Sequence, residues 1–213
     1  MSTENSMVIT KRKRKPLVKD KLPPGGLKIL KAFKSLLRKK EFNTITTAEL
    51  AEVSGVNEAL LYKYFGSKRG LLHSVLFYIL ENYINNLLLK LKEVEGALNK
   101  LKVIVRENIA SYQSDPVFAK IMILEVRNYP GYFQSDTYQS IRKYAALVRG
   151  VIKEGVRDGE IREDISSWHI MQIIIGSVEH LTMPTLLFRK KLSTDELADM
   201  FCDILFEGIR KVK

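Results

Sequence analysis

"GVNEALLYKYFGSKRGLL", residues 55–72, sets an apolar series beside two tyrosines and three basic side chains, with glycines at 55, 66 and 70. A helix that only fills a core has no use for Lys63. A helix that is only solvated has no use for Leu61 and Phe65. An α-helix advances about 100° per residue. With Leu61 set at 0°, Phe65 falls at about 40° on the same side, and Ala59 and Lys63 fall opposite, at about 160° and 200°. Tyr62 and Leu60 flank them. One side therefore suits a protein core. The other offers a small residue, a cation, a phenol and an outward leucine, which are groups for close approach, for phosphate or guanine, and for a thymine methyl.

Working outward, "TTAE" makes Thr46 an N-cap with Glu49 three residues on, the capping-box pattern, and that helix runs to about Val53. Gly55 turns the chain, Asn57 caps a second helix to Phe65, and Ser67 caps a third to about Leu91. Helix, tight turn and helix is helix-turn-helix spacing. Glu58, at the start of the second helix, can accept from cytosine N4. Lys68, opening the third, adds its charge to free N–H groups and makes a phosphate site. The same spacing would also suit a helical hairpin with a solvated basic face.

Charge separates these readings. Residues 1–25 hold seven Lys/Arg against two acids, and residues 26–75 hold nine against four. Residues 76–213 hold nineteen against eighteen. The excess lies in the first third, as in a polyanion-binding end on a neutral body. "KRKRK" (11–15) belongs to a polar, aperiodic segment, read as a disordered basic arm over 1–25 that would lie in a minor groove or along phosphates, or serve only as a solubilising tail. "PPGG" (23–26) reads as a breaker, followed by an apolar helix face at Leu27, Leu30, Phe33, Leu36 and Leu37.

Beyond residue 91 the pattern predicts helices over about 97–113, 116–128, 133–157, 165–187 and 194–211, with Gly159 closing one and Ser193 and Glu196 forming a second capping box. The expected fold is all-α: a three-helix domain over 26–72 and a larger helical body over 73–213. The apolar run 169–188 contains Gln172, Glu179 and His180, and reads as a buried helix rather than a membrane span. The single cysteine, Cys202, excludes an internal disulfide framework and suits a reducing, cytoplasmic setting. His73, His169 and His180 lie far apart, and no metal, P-loop or nucleophile motif appears. Catalysis, a metal and a cofactor are not expected. A helical interaction module that binds no DNA is the alternative class.

"ITTAELAEVSGVNEALLYKYFGSKRGLL" (45–72) resembles the DNA-binding signature of TetR/AcrR-family transcriptional regulators, matching at Thr46, Leu50, Ala51, Gly55, Val56, Leu61, Tyr62, Phe65, Lys68 and Leu71. It departs at Ser54, Asn57 and Tyr64, where the family favours Ala, Ser and His. The resemblance implies a homodimeric regulator, usually a repressor, on a palindromic double-stranded DNA operator. Its C-terminal helices would form a pocket for a hydrophobic effector and the dimer interface. By motif position, Thr46, Thr47, Tyr62, Tyr64 and Lys68 would contact the DNA backbone, and Glu58, Ala59, Leu60 and Lys63 would face bases.

A cavity needs apolar walls with few polar anchors. Phe118, Met122, Tyr144, Trp168, Met171 and Met183 are the expected ligand-binding set. "LEVRN" (124–128), 147–165 and "GSVEHLT" (176–182) resemble the fatty-acid-responsive subgroup, which implies a long-chain acyl-CoA effector with Lys120, Arg127 or Arg142 at its phosphates. The last two helices would form the dimer through Val178, Leu181, Leu197, Phe201, Ile204 and Leu205.

Overall fold

The computed structural model describes residues 22–211 except 189 and 191. The basic arm at 11–15 therefore lies outside the described residues. Nine α-helices follow in order: α1 (Pro24–Leu37), α2 (Thr47–Ser54), α3 (Glu58–Phe65), α4 (Lys68–Leu91), α5 (Ala97–Ser114), α6 (Pro116–Lys120), α7 (Asp136–Arg157), α8 (Ser167–Phe188) and α9 (Thr194–Ile209). Among the described residues there is no strand, only an isolated bridge between Ile161 and Arg210. The all-α expectation is met.

The caps fall where the sequence puts them. Thr46, Ser67 and Ser193 each accept from the backbone N–H three residues on, and Asn57 accepts from Ala59. Glu49 does not reach back to complete its box; its carboxylate pairs with Lys40 at 2.5 Å. Gly55 sits at φ +61, and a side chain there would meet nothing. The turn thus requires glycine for its left-handed backbone, not for space.

Three expectations fail. "PPGG" does not break a helix but begins one: Pro24 occupies the first turn of α1, where its missing N–H costs nothing, and Leu27 N–H bonds to the Pro23 carbonyl. Residues 22–25, assigned to the arm, are thus ordered. The helix predicted over 116–128 changes winding, with α6 passing into a π-helical segment at Ile121–Glu125. The run 169–188 is not buried all round. Ile170, Ile174 and Val178 face inward, while Trp168, Ile173 and Phe188 are half or more exposed. By length and composition α8 would span a membrane, but its inner face is committed to α5 and α7.

Two apolar clusters organise the chain. One gathers α1–α3 and the first turns of α4, and draws in Phe118, Met122, Val126 and Tyr132 from the body. The other joins the rest of α4 to α5, α7, α8 and α9. The 24-residue α4 runs through both.

Candidate DNA-binding site

α3 is held on two sides. Leu61 and Phe65 are buried beneath it. Leu60 and Tyr64, four residues apart, pack on its flank against the start of α1. Gly25 and Gly26 lie beside them: a Cβ at Gly26 would stand in ordinary contact with the Tyr64 ring, at 3.6 Å. This corrects one expectation: Leu60 is not an outward leucine free for a thymine methyl. Tyr64, half-buried, gives part of its ring to the same packing. What remains outward is Ala59, Tyr62 and Lys63, with Glu58 half-exposed at the helix start. Thr46 is exposed at the cap of α2, beside half-buried Thr47.

Lys68 also departs from expectation. Its ammonium donates to the backbone carbonyls of Ile45, Phe42 and Asn43, at 2.6, 3.0 and 3.4 Å. It also lies 4.6 Å from the Phe42 ring centre. Three donors meet three acceptors, so the charge ties the α1–α2 connection to the start of α4. Burial, then Arg69, lowers its pKa, with Glu125 opposing. Replacing Lys68 with Met should keep the stem and lose these bonds, costing about 2 kcal/mol in urea-induced unfolding. A lysine that served only phosphate would leave the unfolding curve in place.

Gly70 closes the junction. A side chain there would stand 2.1 Å from the Phe65 carbonyl oxygen, so α4 approaches α3 closely only because residue 70 has none.

Arg69 joins this unit to the body. Its guanidinium stacks between the rings of Phe42 and Tyr129, with centroids at 4.9 and 4.7 Å, and pairs with Glu125 at 3.1 Å. Beside it His73 is buried, its Nδ1 2.9 Å from Thr137 Oγ1. The Thr137 hydroxyl donates to the His73 carbonyl, which makes Nδ1 the protonated nitrogen. Burial first, then Arg69, pushes the His73 pKa down to about 4. Sequence reading missed these ties. Their partners stand 56 and 64 residues away, and no local pattern encodes them.

The expected ligand set is divided between the two apolar clusters. Phe118 and Met122 belong to the first cluster, Tyr144 and Met171 to the second. Tyr144 is buried and accepts from Asn108 at 2.8 Å. Trp168 is 50% exposed at the start of α8, and Met183 is half-buried. An apolar residue type does not say which side of a helix finds a partner, and these six sit on different sides. Arg127 is not at a phosphate mouth; it forms a two-pronged ion pair with Glu179, with Nη1 to Oε2 at 2.9 Å and Nη2 to Oε1 at 2.5 Å. That pair raises the Arg127 pKa. His180 is exposed.

The fold and the outward Ala59, Tyr62 and Lys63 of α3 define a helix-turn-helix regulator with a helical body. The sequence profile of the bacterial regulatory proteins of the tetR family matches residues 29–75, and that of the YsiA-like protein C-terminal region matches 78–208. The chain belongs to the TetR family and is a DNA-binding transcriptional regulator, not an enzyme. The "Fatty acid metabolism regulator protein" of Bacillus subtilis (strain 168) is 21% identical over 186 residues, 87% of this chain and 96% of that one. The "Nucleoid occlusion factor SlmA" of Cronobacter sakazakii is 29% identical over 120 residues, 56% of this chain and 59% of that protein. Among solved structures, FadR from Bacillus subtilis in complex with stearoyl-CoA superposes with a TM-score of 0.77 at 21% identity, covering 86% of this chain and 98% of that one. FadR from Bacillus halodurans gives 0.77 at 18% identity, covering 90% and 99%.

Proposed function

We propose that the chain acts as a cytoplasmic homodimeric repressor, with α3 of each protomer in a major groove of a palindromic operator, released by a long-chain acyl-CoA. The observation that carries the DNA reading is the outward face of α3, where Ala59, Tyr62 and Lys63 stay exposed while every other apolar side of the helix is packed. Lys63 with Ala59 and Glu58 faces base edges. Tyr62 and the Thr46 and Thr47 edge of α2 meet phosphates. The acyl-CoA reading is supported by the fatty-acid regulators, whose match covers 86–87% of this chain and nearly all of theirs. Gel-shift titration of the complex with its own upstream DNA tests it. Long-chain acyl-CoAs should release the DNA while short-chain ones and hydrophobic cations do not. Retention across the whole series would sink the effector assignment.

The dimer face is the outer side of the last two helices. Trp168 and Ile173 on α8, and Met200 and Ile204 on α9, are 48–69% exposed. Of the stripe expected from sequence, Val178, Phe201 and Leu205 are buried within the protomer, and Ile204 alone among the six is openly exposed. A dimer on this face sets its two α3 helices about 34–36 Å apart, the spacing of successive major grooves.

Two substitutions should fail differently. Tyr62→Phe should lower affinity by less than about 1 kcal/mol on every sequence alike. Lys63→Ala should cost about 1–3 kcal/mol and relax preference at one base pair. Titration of operator variants against both proteins distinguishes them, and a uniform loss from Lys63→Ala would move that lysine to the phosphate.

A further inference from the structure

A cleft of about 920 Å³ opens between the end of α1 on one side and α6, the π-helical segment and the end of α8 on the other. It lies between the DNA-binding unit and the body, and none of the six residues in which sequence reading placed an effector lines it. Its lining carries five cations against two carboxylates. Two ion pairs cross it. Arg38 on α1 meets Asp115 before α6 at 2.6 Å, and Lys120 on α6 meets Glu41 at 3.6 Å. Lys39 and Lys190, on opposite walls, enter no ion pair among the described residues. Between these cations lie Leu124 and Leu187, 39% and 48% exposed.

Apolar wall beneath a cationic rim is the complement of an amphiphile with an anionic head. We infer that this cleft seats a phosphate-headed amphiphile, its chain on Leu124 and Leu187 and its head between Lys120, Lys190 and Lys39. The inference goes beyond the effector reading, because it names a seat at the junction of the two units and a way for it to act. The head is a third anion among cations already shared with Glu41 and Asp115. It draws Lys120 away from Glu41 and competes with Asp115 for the neighbouring Arg38, and so loosens the two ion pairs that fasten the residues just after α1 to the body. The π-helical wall of the cleft also holds Glu125, the partner of Arg69 at the first turn of α4. An occupant is thereby in contact with the segment that positions α4 beneath α3. A ligand that prefers one arrangement of the two units shifts the population towards it.

The test uses the full-length protein and dodecyl phosphate below its micelle-forming concentration, with dodecyl maltoside as the uncharged control, followed by calorimetry. The phosphate should bind and the maltoside should not. Lys190→Ala, in the body and in no ion pair among the described residues, should weaken phosphate binding about fivefold and leave operator affinity without amphiphile within about twofold. Thermal melting checks that this variant folds; if it does not, the exposed Lys190→Glu alone carries the comparison. Equal binding by wild type and variant, or equal binding of both amphiphiles, overturns the seat. Release of DNA by palmitoyl-CoA at the same concentration from wild type and variant would remove the seat and keep the acyl-CoA reading. Tight, lysine-dependent dodecyl phosphate binding with no release by any acyl-CoA would do the reverse.

Discussion

Operator affinity should fall about 10³- to 10⁵-fold as salt rises from about 50 to 200 mM, if the dimer neutralises about 6–10 phosphates. Residues 1–75 carry sixteen Lys/Arg and six acids per protomer, while the rest of the chain is balanced. Cations condensed on the duplex are released when these side chains replace them, and that entropy is lost as bulk salt rises. Not every basic residue contributes. Lys68 is held by carbonyls, Lys40 by Glu49, and Arg69 by Glu125 and two rings. The response therefore comes chiefly from the outward lysines of α1 and the residues before Leu22. Fluorescence anisotropy with labelled operator, repeated across salt at constant pH, measures the slope. A flat line would take the basic third off the phosphates.

Acidification should unfold the protein through His73. In the unfolded chain its imidazole binds a proton below about pH 6.5, and in the folded chain only below about 4. Between those values the unfolded state holds more protons, so stability rises with pH across the window and is lost as pH falls through it. The stability is complete above about pH 6.5, and the loss approaches about 3 kcal/mol once the folded histidine is also protonated. The groups facing His73 all agree with this sign. Arg69 repels a second positive charge, Thr137 already accepts from Nδ1, and the Tyr129 ring offers no carboxylate. Urea unfolding of wild type and His73→Gln at a series of pH values isolates the effect. The two curves should converge as pH falls. Parallel curves would show that His73 titrates normally in the fold.

Local features were legible and remote ones were not, for one reason. A cap is a matter of two or three residues, so Thr46, Asn57, Ser67 and Ser193 could be read directly. The core side of α3 follows from helical periodicity, and Leu61 and Phe65 are buried as that requires. The wheel says nothing about a neighbour on the flank, which is why Leu60 was left outward until α1 arrived beside it. Lys68 looked like part of an anion site because it stands beside the free N–H groups of a helix start. Its acceptors come from a connection 23 to 26 residues earlier, and only the fold brings them together. The effector residues were chosen by side-chain type, and type does not determine which cluster a side chain joins.

The sharing of the first apolar cluster has a practical consequence for protein engineers. DNA-reading heads of regulators invite exchange, one head on another sensor. Here Phe118, Met122, Val126 and Tyr132 of the body are built into the interior of the head. A graft that took only residues 22–76 would leave those four without their neighbours on one side and open a hole on the other. The exchangeable piece is discontinuous: it is the N-terminal segment together with the stretch around 118–132, and chimeras should be cut on both sides of each.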